Sequence, residues 1–420
     1  MEQSKIHYVN QKGWIGDPNG LVYLNNVYHL FYQYEPKMNV FTPDMHWGHA
    51  TSTDLLNWTN YGIAIYPDEL GAIWSGSAVV DTDNTAGFGK NAIICIYTSA
   101  GGETYESVDK QFTISIAYSN DGIKFHKYQN NPVIENIVVG NRDPKVFWHD
   151  KSKKWIIIFC LPNQKENLCI MSSTNLKNWE TIQKLNIDGL EDCPDMFPLI
   201  NNNSEKYVIM STNGKYVIGT FDGSKFTQET EIKQFAFGDT YASQTWNNVT
   251  NKRICMFRLG DMENSEEICQ MSLPIELSLN GQNIITCKPI TNAYFENAVQ
   301  TICWNNKYID NEHIELTTPV FDLEMTFEKT DGISSIELID GIIEYDNNTN
   351  KLTYNKKYSI ECTNNKNNLH IISDVHSIEI FVNNEQYIGC FQYGNAFSKI
   401  KFNNINIIDM CLSQKIEKDN

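Results

Sequence analysis

Hydrophobic residues along this chain fall in short runs separated by polar turns. VYHLFYQY, AIICIYT, FTISIAYS, KVFWHD, WIIIFCL, KYVIMST and YVIGTFD are each of strand length, rich in β-branched and aromatic residues, and bounded by Asn, Asp, Gly or Ser. No long segment repeats its apolar positions at the 3.6-residue helical period. The pattern predicts an all-β protein.

A longer regularity overlies the strands. The phrase STDLLNW at 52–58 returns as STNLKNW at 173–179, with looser echoes in YSNDGIKF at 118–125 and TFDGSKF at 220–226. Their spacing, roughly 50 to 65 residues, suits one blade of a β-propeller with its loops, so four echoes predict four or more blades. Beyond about residue 285 the phrase disappears, and FDLEMTF, GIIEYD, LHIIS, SIEIFV and KIKFNNINII follow at short intervals, the texture of a β-sandwich. A boundary is expected at 285–300, with residues 1–290 in the repeated domain and 300–420 in the sandwich.

Composition narrows the partners. The 420 residues are 41% hydrophobic and carry a formal net charge of −18, with a pI near 4.9. That balance disfavours nucleic acid or an anionic membrane, both of which demand clustered positive charge; a neutral small molecule or oligosaccharide fits better. No apolar run approaches the ~20 residues that span a bilayer, and MEQSKIHYVNQKGW lacks the blocks of a secretory signal, so a cytoplasmic location is expected. The eleven cysteines, among them Cys95, Cys160, Cys255 and Cys287, sit mostly in apolar stretches without a CxxC pair and are expected as buried free thiols. Arginine occurs only at 142, 253 and 258, which gives each a positional interest.

Three acidic motifs stand in turn-rich contexts: WIGDPNG, NRDPKVFW and EDCPDMF. In two of them the acid directly precedes proline, which biases it toward extended geometry and stiffens the turn, as a positioned carboxylate requires. Taken with VYHLFYQY, DMHWGHATSTDLLNW, IWSGSAVVD, GDTYASQTW and MSLPIELSL, in that order from Trp14 to Leu279, they resemble the pattern of glycoside hydrolase family 32, which holds invertases, inulinases and levanases. HIISDVHSIEIFVNN, near 370–384, is similar to the family's C-terminal sandwich. The resemblance implies a five-bladed β-propeller with a central funnel, followed by that sandwich, and a retaining β-fructofuranosidase acting on sucrose, inulin or levan.

Such an enzyme uses one carboxylate as nucleophile and a second, protonated one to release the leaving group. By resemblance Asp17 is the nucleophile, Asp143 supports the oxocarbenium-like transition state and Arg142 is its cationic neighbour. Gln33, Trp47, Trp74 and Ser75 match fructose-pocket positions, although a core role for the tryptophans is open. Two positions depart from the pattern: Gly16 stands where the family has asparagine, and Glu191-Asp192-Cys193-Pro194-Asp195 where it has Glu-Cys-Pro-Asp. Without a gap Asp192 takes the acid/base place, one methylene short; a bulge would instead bring Glu191 inward. Asp195 is left as a second acid, a sugar ligand or a turn cap. The chemistry requires no metal and no organic cofactor, and His46 and His49 are expected to order the loop around Trp47. A fructan-binding protein on a degenerate scaffold, or a fructosyltransferase, is the alternative, and the sandwich offers a surface for homodimer contacts.

Overall fold

Runs such as VYHLFYQY and AIICIYT become strands because their β-branched and aromatic side chains pack on a pleated surface and the Asn and Gly pairs between them turn the chain back. The computed structural model describes residues 4–10, 12–202, 204–260, 269–296, 299–338, 341–362, 366–393 and 398–415. Among these the protein is all-β, with helix confined to a 3-10 turn at Tyr105–Ser107 and one α-helical turn at Asn292–Phe295. No described helix is long and apolar enough to cross a membrane.

The chain forms two compact units. The first holds residues 8–234 and 240–284; the second gathers 285–420 with 235–239 and the start of the chain through His7. Both small segments lie within the 1–290 expected to stay together. They join the second unit because 236–238 pairs in parallel with Tyr387–Gln392 and because the Asp374 carboxylate accepts the backbone N–H groups of Lys5, Ile6 and His7.

The first unit contains four antiparallel sheets and most of a fifth, in chain order. Their first strands are Trp14–Leu24, Ala72–Asp81, Arg142–His149, Asp195–Asn201 and Thr240–Thr245. Each touches the first strand of the next sheet, and that of the fifth sheet touches that of the first. These strands are buried almost end to end, whereas last strands such as Thr59–Ile65 and Glu180–Leu185 are largely exposed. Asn247 ties the arrangement together: its side chain donates to the Ala78 and Val146 carbonyls at 2.8 and 2.9 Å, and its backbone N–H donates to that of Leu21.

The repeated phrase is the turn between the third and fourth strands of a sheet. Ser52 Oγ accepts the N–H groups of Asp54 and Leu55, Asp54 Oδ1 accepts those of Leu56 and Asn57, and the Trp58 indole closes on the Leu55 carbonyl. Ser173, Asn175 and Trp179 repeat these bonds, and Asp121 and Asp222 repeat their centre. The left-handed position is Leu55 (φ 68°) and Leu176 (φ 62°) in two copies, and Gly122 and Gly223 in the other two, where glycine adopts it without strain. A fifth turn lies at Asn280, whose Oδ1 accepts from Gln282 and Ile284. It keeps a serine two residues earlier, Ser278, but has Ile284 in place of the aromatic residue, which hid it in the sequence.

The second unit has a seven-stranded and a six-stranded sheet. Alternation is clear in Phe321–Glu328, where Phe321, Leu323, Met325 and Phe327 face inward. They share one core with Ile336, Ile343 and Phe402 of the other sheet. Here the cysteine expectation needs correction. Nine thiols are free, but Cys303 and Cys411 form a disulfide, because the register of Val299–Ile309 on Ile405–Lys415 sets them directly opposite, Cα to Cα 4.3 Å.

Candidate active site

Four of the five first strands carry one extra residue near the same end. The ladders skip at Gly16-Asp17, at Ser75, at Asp143-Pro144 and at Ala242-Ser243. A bulge re-aims a side chain and relieves it of ladder bonding, and three of the four carry residues expected in the site. Asp143 departs from the extended geometry expected before proline: its φ is 62°, a left-handed value that costs a non-glycine residue about 1–3 kcal/mol. Its N–H donates to Thr98 Oγ1 at 2.9 Å.

Asp17, Ser75 and Gln33 form a buried chain. Gln33 Nε2 donates to Ser75 Oγ at 3.1 Å, and Ser75 Oγ donates to Asp17 Oδ2 at 2.7 Å. Asn19 braces the turn, donating to the Asp17 carbonyl and accepting from the Gly76 N–H, both at 3.0 Å. Asp17 Oδ1 accepts no hydrogen bond among the described residues and faces Arg258 Nε at 3.6 Å. Burial raises the Asp17 pKa above the usual carboxylate range, and Asp192 adds to this; Arg258 and Ser75 pull it back.

A second carboxylate pair meets on Arg142, whose Nη2 donates to Asp192 Oδ1 while its Nε lies 3.5 Å from Asp143 Oδ2. Burial pushes the Asp143 pKa up to about 7, helped by Asp192 and Asp17 and opposed by Arg142. Cys193 links both groups of acids. Its N–H donates to Asp143 Oδ2 at 3.2 Å, and its thiol lies 3.7 Å from that oxygen and 3.8 Å from Asp17 Oδ2. Burial and the surrounding carboxylates keep that thiol protonated, so it acts as a weak donor. Glu191 is exposed, whereas Asp192 is half-buried within the cluster. Asp195 pairs with Lys145 at 3.0 Å, and its Oδ2 also accepts the Thr245 N–H at 2.7 Å, so it belongs to a buried ion pair beneath the site.

The tryptophans part company. Trp47 is fully buried among Phe31, Ile73 and Tyr97 and donates Nε1 to the Trp74 carbonyl, so its ring lies in the core and not on a pocket wall. His49 stacks on Phe31 in the same core, and its ring nitrogen meets that of His29 at 3.1 Å. Trp74 is partly exposed, with Phe112 and Phe41 edge-on at 5.2 and 6.2 Å. Phe41 also meets Trp14 at 5.8 Å. At Gly16 a Cβ would fall 2.5 Å from the Trp14 ring, so that indole occupies the space beside the nucleophile where a larger residue at 16 would project.

Sequence reasoning missed Phe41, Cys193 and Arg258. The rarity of arginine pointed equally to all three arginines, but only Arg142 lay inside a motif. Asp143, Cys160 and Asp192 bring three metal-ligand atoms within 4.8 Å of one another, yet Arg142 already lies on both carboxylates. A second such group is Asp322, Glu324 and His370 in the other unit.

Residues 7–289 match the family model described as the glycosyl hydrolases family 32 N-terminal domain. A levanase from Bacillus subtilis is 39% identical over 287 residues, 62% of this chain and 41% of the relative. The extracellular exo-inulinase inuE of Aspergillus niger is 35% identical over 272 residues, covering 54% and 50%. The chain thus spans half or less of the length of these curated relatives. A β-fructofuranosidase from Schwanniomyces occidentalis, solved with fructosyl-erythritol, superposes with a TM-score of 0.86 at 25% identity over 98% of this chain and 97% of that one.

Proposed function

The chain belongs to glycoside hydrolase family 32, and on that premise we propose that it is a retaining β-fructofuranosidase that removes terminal fructose from sucrose, inulin or levan. The observation that carries this is the convergence of Asp17, Asp143 and Asp192, from the first and third sheets and the loop before the fourth, around Arg142, Arg258 and Cys193. We further propose that the five sheets whose first strands lie in the first unit are five propeller blades, supported by the ring of contacts among those strands, and that the second unit is a β-sandwich, supported by its shared core. We also propose a cytoplasmic location, on the nine free thiols that outnumber the one disulfide.

In this mechanism Asp17 Oδ2 is held by the Ser75 hydroxyl, which leaves Oδ1 to attack the anomeric carbon. Asp192 gives its proton to the departing oxygen as the glycosidic bond breaks. Water then attacks the fructosyl ester, Asp192 takes the proton back, and Asp17 leaves as carboxylate. Asp143, raised to about 7, alternates between donor and acceptor near neutrality and can bond fructose hydroxyls in either form. Trp74 and Phe41 supply an apolar wall for the sugar.

The test is fructose release from sucrose, inulin and levan. Asp17→Ala is expected to lose on the order of 10⁴-fold or more, and Asp192→Ala about 10²- to 10⁴-fold. The latter loss should shrink on substrates with activated leaving groups, which need little protonation. Binding of fructan by wild type without fructose release would favour a binding protein. Transfer of fructose to added sugar in place of water would favour a fructosyltransferase.

A further inference from the structure

Resting on the nucleophile role of Asp17, we infer that Arg258 is the positioning residue for that carboxylate, fixing its direction and compensating its charge. Arg258 comes from Arg253–Leu259 in the fifth sheet, outside every motif that identified the site. It is only 3% exposed and held on two sides. Its Nη1 donates to the Gly260 carbonyl at 2.9 Å, and its guanidinium lies 4.9 Å over the Tyr241 ring. Gly260 has φ 113°, a conformation open to glycine, which sets that carbonyl. The Nε edge then faces Asp17 Oδ1, and neither atom has a hydrogen bond among the described residues. The pair is therefore electrostatic, with no proton shared, and the lone pairs of Oδ1 stay available for attack.

Charge counting shows why a second cation is needed. Asp143 and Asp192 both contact Arg142, and both crowd the site with negative charge. Among the described residues, the side chains that contact Asp17 Oδ2 are Ser75 and the protonated Cys193, and neither is a cation. Burial and Asp192 favour the neutral acid at Asp17, which cannot act as nucleophile, and Arg258 opposes them. The same cation acts unequally on the two half-reactions. When Oδ1 bonds to the anomeric carbon its charge disappears and Arg258 loses its counter-ion; when water breaks that ester the carboxylate returns. Arg258 thus resists accumulation of the fructosyl-enzyme and assists its breakdown.

The experiment compares wild type with Arg258→Gln and Arg258→Met, two neutral side chains of different shape, and with Arg258→Lys. Two readouts are taken: the acidic limb of kcat/KM for fructose release, and the ¹³C NMR titration of the Asp17 γ-carboxyl, assigned by its absence in Asp17→Asn. Both midpoints should rise by about one to three pH units in the neutral variants and return most of the way in Arg258→Lys. Neutral variants with native near-UV circular dichroism and unmoved midpoints would overturn the inference. Should both neutral variants unfold, rescue by combination with Asp17→Asn supports the pairing, and failure of that rescue ends it. The NMR titration needs no turnover. A shifted midpoint in a protein that releases no fructose would therefore sink the proposed function and leave the Arg258–Asp17 pairing standing.

Discussion

Two buried clusters of acids and cations, one in each unit, use the same groups to opposite ends. In the second unit His7 lies between Asp374, 2.8 Å from Nδ1, and Glu379, 3.1 Å from Nε2, and three backbone N–H groups also point at Asp374. Burial opposes the charge on His7, but the two carboxylates outweigh it and raise its pKa to about 9; Asp374, despite burial, is held down to about 2. In the first unit Asp192 is gripped by Arg142, but Asp143 and Asp17 lie 3.5 and 3.6 Å from Arg142 and Arg258, and both are pushed toward the neutral form. A cluster saturated at its cation, with both ring nitrogens of His7 bonded, fixes charge and holds the chain segment at 5–7. An undersaturated one leaves an oxygen without a hydrogen bond and acids whose protons can move, which is what proton transfer and nucleophilic attack require.

The largest expected effect breaks the saturated cluster. Asp374→Asn leaves His7 with one carboxylate and weakens the acceptor for three N–H groups, a loss of about 3–5 kcal/mol for a broken buried pair. Calorimetry of the whole chain should show a clear fall in Tm at pH 7. The pH dependence follows from the raised His7: its contribution is complete below about 6.5 and is lost as pH rises through about 9. Wild type should therefore lose stability between pH 7 and 10, and Asp374→Asn should lose less over that interval. Equal slopes would mean that the triad is not what holds this part of the chain.

The complementary change relaxes the undersaturated cluster. Because the Asp143 pKa is raised from 3.8 to about 7, its stabilising contribution is present below about 4 and is lost as pH rises through 7. Asp143→Asn removes that penalty. Its Tm should approach wild type near pH 4 and exceed it at pH 8, on the order of 5 °C higher, while fructose release falls sharply. A Tm difference independent of pH would place Asp143 among the structural ion pairs and erase the contrast with His7.

How much of this was legible in the sequence depended on range. The strands and four of the five turns were, because a turn such as Ser52-Thr53-Asp54 is closed by bonds two or three residues apart. The acids were too, since proline and glycine mark the bulged segments that aim them. Arg258 and Phe41 were not: their roles arise from contacts across 241 and 33 residues, with Asp17 and Trp74, and no local pattern encodes those. Trp47 shows the converse, a residue inside a pocket-like motif whose ring turns into the core. His7 and Asp374 were also silent, as 367 residues separate them.

The smallest expected effect tests where the undersaturated cluster ends. Glu191 and Asp192 are adjacent acids, but Asp192 is gripped by Arg142 and Glu191 is exposed. The turn is fixed by Cys193, whose φ of 44° lets its N–H reach Asp143, and by Ser211 Oγ, which donates to the Asp192 carbonyl at 2.6 Å. Exchanging the two acids would require breaking both anchors, so Glu191→Gln should change kcat/KM by less than about 2-fold, the usual scale for an exposed side chain away from any such feature. Asp192→Glu separates reach from identity: it restores a longer arm at the position that Arg142 holds, and its kcat on substrates with poor leaving groups should at least match wild type. A Glu191→Gln enzyme as impaired as Asp192→Ala would show that the turn reverses when substrate binds, and that the acid/base is the residue which stands exposed in the free protein.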